Sequence, residues 1–106
     1  MVKIQIINNE NDMNISIKGH ANYSSKGFDI ICSSLSTSIY LMQQLYENFG
    51  LGGFFKLEEG DAKIKISVNS FAKRAIFKTF LDFFKNLEDE YPNNVEVEYE
   101  NTKNFK

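Results

Sequence analysis

An α+β fold, a two-layer α/β sandwich with two helices packed on one mixed or antiparallel sheet, is the class this sequence predicts. Three observations predict it. Apolar residues alternate with polar ones in short runs, the period of a half-buried strand. Two longer stretches repeat their apolar residues at helical spacing. Turn-forming clusters fall between these segments, so the order reads strand-strand-helix-strand-strand-helix-strand.

Val2, Ile4 and Ile6 alternate with Lys3 and Gln5 and make the first strand. The cluster Asn8 to Asp12 reads as a turn. Met13, Ile15 and Ile17 then alternate with Asn14, Ser16 and Lys18, so the first two strands should form a hairpin. After a polar loop, Ile31, Leu35, Ile39, Met42, Leu45, Tyr46 and Phe49 recur at helical spacing, and Gly50, Gly52 and Gly53 end that helix. Ser33, Ser34, Ser36, Thr37 and Ser38 crowd its first half, and such small side chains let another backbone approach closely. Phe54, Phe55 and Leu57 form a third strand, and Glu58 to Asp61 a turn. Ile64, Ile66 and Val68 alternate with Lys63, Lys65 and Ser67 in a fourth. Ser70 can cap a second helix carrying Phe71, Ala75, Phe77, Phe80, Leu81, Phe84 and Leu87, which stops near the single proline, Pro92. Val95, Val97 and Tyr99 make the last strand, followed by a polar tail. Strand order is not legible in such patterns. Ile76 and Phe83 widen the second helix's apolar face, which, with the serine-rich first helix, points to a further buried surface such as a homodimer would supply.

The 106 residues fit a single domain, 1–106, with one modest core. Net charge is −2 at pH 7 with a pI near 5.4, which argues against a protein built mainly to grip phosphates. Lys73, Arg74, Lys78 and Lys85 along the second helix read as a solvated face, and no direct nucleic-acid contact is expected. The single cysteine cannot make an internal disulfide, which fits a reducing cytosol. The N-terminus lacks the layout of a signal peptide, and no apolar run approaches the ~20 residues that span a bilayer. A soluble cytoplasmic protein without membrane attachment is expected. One His and one Cys do not make a structural zinc site within one chain, so neither metal nor cofactor is expected.

The chemistry concentrates in one stretch, Gly19-His20-Ala21-Asn22-Tyr23-Ser24-Ser25-Lys26-Gly27-Phe28-Asp29-Ile30-Ile31-Cys32. It holds the only histidine and the only cysteine. His20 follows a strand on its polar parity, and Cys32 falls in the first turn of a helix that Asp29 can cap. Backbone N–H groups of a first helical turn have no acceptor within the helix and favour a thiolate or a developing oxyanion nearby. An imidazole can deprotonate the thiol and later protonate a leaving amine. Gly19 and Gly27 allow close approach to a peptide backbone. Asp29 has two readings, capping the helix or orienting the imidazole as the third member of a triad. Ser36, one turn after Cys32, either hydrogen-bonds near the thiolate or simply packs.

The spacing Gly19-His20-Ala21, five loop residues, Gly27-Phe28-Asp29-Ile30-Ile31-Cys32 and then Ser36 resembles the motif of the ribosomal-processing cysteine protease family, Prp. The chain departs from it at Ser33 and Ser34, where that family often has alanine. The resemblance implies a bacterial, homodimeric cysteine endopeptidase. Its substrate would be the N-terminal extension of large-subunit ribosomal protein twenty-seven, cut after an aromatic pair. By position it implies Cys32 as nucleophile, His20 as general base, and Gly19, Asp29 and Ser36 as supports. The loop Asn22, Tyr23, Ser24, Ser25, Lys26, Gly27 is similar to a loop that orders over substrate. Tyr23 and Phe28 could meet the aromatic pair; Phe28 could equally be a hydrophobic staple before the helix. The alternative from a different class is a non-catalytic, ribosome-associated protein-binding module.

Overall fold

The computed structural model describes residues 1–19, 30–58 and 60–101. Its elements are β1 (Val2–Asn9), β2 (Asp12–Lys18), α1 (Ile30–Asn48), β3 (Phe54–Glu58), β4 (Asp61–Ser67), α2 (Phe71–Glu90) and β5 (Val95–Asn101). The strands form one sheet in the order β3-β4-β2-β1-β5. Four strands pair antiparallel, and β5 joins β1 in parallel, so the sheet is mixed. This is the expected α+β class.

The alternation seen in the sequence sets which face is covered. Val2, Ile4, Ile6, Met13, Ile15, Ile17, Ala62, Ile64 and Ile66 all point into the core beneath the helices. Their neighbours Lys3, Gln5, Lys18, Lys63 and Lys65 face water on the other side. α1 contributes Ile31, Leu35, Ile39, Met42 and Tyr46 to the core, and α2 contributes Phe77, Phe80, Phe84 and Leu87. Phe49 and Phe71, assigned from spacing to the apolar faces, are instead 66% and 80% exposed. Phe49 lies just past the last residue of α1, and Phe71 opens α2 about 160° round the helix from the face that buries Phe77, Phe80, Phe84 and Leu87.

The ends of α2 follow from its sequence. Ser70 is extended, and its hydroxyl accepts a hydrogen bond from the Lys73 N–H at 3.2 Å. At the far end the Tyr91 N–H donates to the Leu87 carbonyl at 2.8 Å, and Pro92 follows. The cluster at Asn8 to Asp12 is tighter than expected. The strands run on to Asn9 and restart at Asp12, leaving a two-residue turn with Glu10 at φ 59°. The turn assigned to Glu58–Asp61 is similarly short, because Glu58 and Asp61 already pair across β3 and β4.

Candidate active site

The orientation of α1 decides where the cysteine lies. Near the end of α1, Tyr46 meets Phe55 edge-on, with ring centroids 5.9 Å apart and planes at 61°. Phe55 is the second residue of β3, toward the end of the sheet remote from the β3–β4 turn. The start of α1 therefore lies at the opposite end of the sheet, where β2 finishes. There Gly19 donates its N–H to the Gly60 carbonyl at 3.0 Å, continuing the β2–β4 ladder one residue past Lys18. Gly19 has φ +99°, and a Cβ there would run into the backbone carbonyl oxygen of Met1. Glycine is required at this position by both backbone angle and space.

Cys32 is the third residue of α1 and is half-buried. Ser36, one turn on, is exposed on the same flank. Heptad spacing aligns Cys32 with the buried Ile39 and Tyr46, so the thiol stands at the border between core and solvent. The opposite flank is different. Ser34, Leu41 and Leu45 face Ile76, Phe80 and Phe83 of α2 across a groove of about 640 Å³. The small side chains of α1 leave this space open between the two helices. Ser38 is buried there, its hydroxyl donating to the Leu35 carbonyl at 2.8 Å.

The structure brings Cys32 and Ser36 together on one flank and places Gly19 at the adjoining sheet end. The expectations for His20, Asn22, Tyr23, Ser24, Ser25, Lys26, Gly27, Phe28 and Asp29 lie outside the described residues. Among the described residues, no group of three His, Cys, Asp or Glu side chains could hold a metal. None of the helices among them is long and apolar enough to cross a membrane. On α2, Lys78 pairs with Asp82 at 2.8 Å, and the Arg74 guanidinium donates to the Val68 carbonyl at 3.4 Å. One feature the sequence reading missed is Glu88, whose carboxylate accepts the Val97 N–H at 2.8 Å. Its position on α2 carried no hint of a strand partner nine residues on.

Among solved structures, the chain resembles an essential ribosomal processing protease Prp from Staphylococcus aureus, solved with a covalently linked product peptide. The TM-score is 0.77 at 24% identity, over 94% of this chain and 100% of that one. A structure of that protease with a substrate peptide aligns at TM-score 0.76 and 21% identity, with the same coverage. A Streptococcus mutans protein aligns at 0.71 and 19%, over 95% of this chain and 98% of that one. Likeness at these identities speaks to the fold. Compared with curated proteins sequence by sequence, the chain matches none. The sequence profile described as cysteine protease Prp, in contrast, matches residues 1–96, which takes in the histidine, the cysteine and every element up to the start of β5. This chain belongs to the Prp family of cysteine proteases.

Proposed function

We propose that the protein is an endopeptidase that removes an N-terminal extension from bacterial large-subunit ribosomal protein twenty-seven, cutting after an aromatic pair. Cys32 is the nucleophile and His20 the general base. The observation that carries this reading is the placement of Cys32. It lies in the first turn of α1, half-buried, beside Ser36 and at the sheet end where Gly19 precedes His20.

The chemistry is acyl transfer. His20 takes the thiol proton, and the thiolate attacks the scissile carbonyl carbon. The oxyanion gathers at the start of α1, where N–H groups and the helix dipole favour negative charge. Collapse breaks the C–N bond, the imidazolium protonates the departing amine, and a thioester remains on Cys32. Water, deprotonated by His20, attacks the thioester and regenerates the thiol. Gly19, Asp29 and Ser36 support the pair, and the segment from Asn22 to Phe28 covers the peptide. The enzyme works as a homodimer in the bacterial cytoplasm. The apolar α1–α2 groove and the exposed Leu41 support a contact with a second copy.

The test is incubation with a peptide spanning the N-terminal extension of the same organism's ribosomal protein twenty-seven, read by mass spectrometry. A single cut after the aromatic pair is expected, absent in Cys32→Ala and in His20→Ala. Cleavage by Cys32→Ala at the normal rate would remove the nucleophile assignment.

A further inference from the structure

The sheet has two edges, and the fold treats them differently. At β5 the Val97 N–H is taken by the Glu88 carboxylate of α2 at 2.8 Å, and Glu96, Glu98 and Glu100 stud the strand. Such an edge is closed to another strand. The β3 edge also carries charged side chains, Lys56 and Glu58, paired with each other at 3.7 Å, but among the described residues no side chain takes a backbone N–H of this strand as Glu88 takes that of Val97.

Which groups it presents follows from the ladder. Val68 donates its N–H to the Asn11 carbonyl at 2.7 Å at one end of the β2–β4 pairing, and Gly19 donates to Gly60 at the other. The even-numbered residues of β4 therefore turn their backbone toward β2. The odd-numbered ones, Asp61, Lys63 and Lys65, turn toward β3 and meet Glu58, Lys56 and Phe54. Strand alternation leaves the N–H and C=O of Phe55 and Leu57 directed outward.

This edge lies on the nucleophile's side. The groove flank of α1 faces α2, and α2 lies against β5. The Cys32 flank, about half a turn away, looks toward β3, as the Tyr46–Phe55 contact requires. Cys32 precedes Tyr46 by about 21 Å of helix. From Phe55 to Glu58, β3 covers about 10 Å. A chain leaving β3 at Glu58 therefore needs roughly three more extended residues to come level with the thiol.

We propose that the substrate peptide binds as an added strand on the β3 edge, its backbone pairing with Phe55 and Leu57 and running on past Glu58 to Cys32. The occupant is an extended peptide held through its backbone, which rests on the protease reading above. Recognition of this kind is tolerant of side chains at the paired positions but requires N–H groups at alternate residues.

The test uses the Cys32→Ala protein, a fluorescent form of the same peptide, and a series methylated at one backbone nitrogen at a time, read by anisotropy. Loss of one backbone hydrogen bond should weaken binding about 5-fold. The expected result is sensitivity at two positions separated by one insensitive residue, roughly three residues from the scissile bond. In addition, Leu57→Pro, which removes an outward N–H that the sheet does not use, should weaken binding about 5-fold or more, and Leu57→Ala much less. If Leu57→Pro does not fold, the methylation series decides alone. A series without alternation, or no binding of the unmethylated peptide, overturns the proposal. So does a Leu57→Pro protein that becomes monomeric while its peptide affinity is unchanged, since the edge would then belong to a second copy. Cleavage by the wild-type protein judges the protease reading separately.

Discussion

Replacing Tyr46 with phenylalanine tests the account of the core. The Tyr46 side chain is fully buried, and its hydroxyl has no hydrogen-bond partner among the described residues. Burial pushes its phenol from the usual 10.0 up to about 12. A folded pKa above the unfolded one means the fold prefers the protonated phenol. That contribution is complete below pH 10 and is lost as pH rises from 10 to 12. Two pH units correspond to about 2.7 kcal/mol, a large part of the roughly 5–15 kcal/mol that holds a domain together. We predict that Tyr46→Phe is as stable as wild type at pH 8, or more stable by about 1 kcal/mol, since a polar atom without a partner is removed. By pH 12 its advantage should widen by about 2–3 kcal/mol. Urea unfolding of both proteins at pH 8, 10, 11 and 12 measures this, because lysine titration is common to the pair and cancels in the difference. Parallel curves would refute the reasoning. A Phe variant clearly weaker at pH 8 would mean that the hydroxyl has a partner after all.

Two further outcomes are predicted. Gly19→Ala places a Cβ against the Met1 carbonyl at φ +99° and should cost about 1–3 kcal/mol, read as a lower urea midpoint; an unchanged midpoint would contradict the close approach. Glu88→Ala deprives the Val97 N–H of its acceptor and should cost about 1.5–3 kcal/mol, with faster hydrogen exchange at Val97. Glu88→Gln should recover much of the loss, since its amide oxygen also accepts, and unaltered exchange in Glu88→Ala would show that the contact does not protect the edge.

Much of this architecture was legible before any coordinates. Period-two runs at Val2–Ile6, Met13–Ile17 and Ile64–Ile66 name both the strands and their buried face, because a half-buried sheet permits few other patterns. Ser70 announced the start of α2, and Pro92 its approximate end. Three things were hidden. The parallel pairing of β1 with β5 depends on how α2 crosses the sheet, which no local pattern encodes. Apolar character placed Phe49 and Phe71 on the buried faces, although Phe49 falls just past the end of α1 and Phe71 on the solvent side of α2's first turn. The Glu88–Val97 contact joins two elements through a single side chain. At the site, types and spacing singled out Cys32 and Gly19, and the backbone supplies the reasons: a first helical turn for the thiol, and a glycine wedged against Met1. The flank that Cys32 occupies relative to α2 emerged only from the packing.

The pairing of β1 with β5 also bears on how the chain is made. Val2 sits beside Val95, so β1 leaves the ribosome long before one of its two partners. Its hairpin mate β2 is available at once, being joined through Glu10–Asn11. During synthesis the nascent sheet can grow in one direction only, from β1 through β2 toward β4 and β3, while the opposite side of β1 stays uncovered. Closing that side requires a contact more than ninety residues apart in sequence, which is slow to form and is reached after both helices exist. Glu88 on α2 then meets Val97 as β5 docks, so the late-arriving β5 seals that side of the sheet.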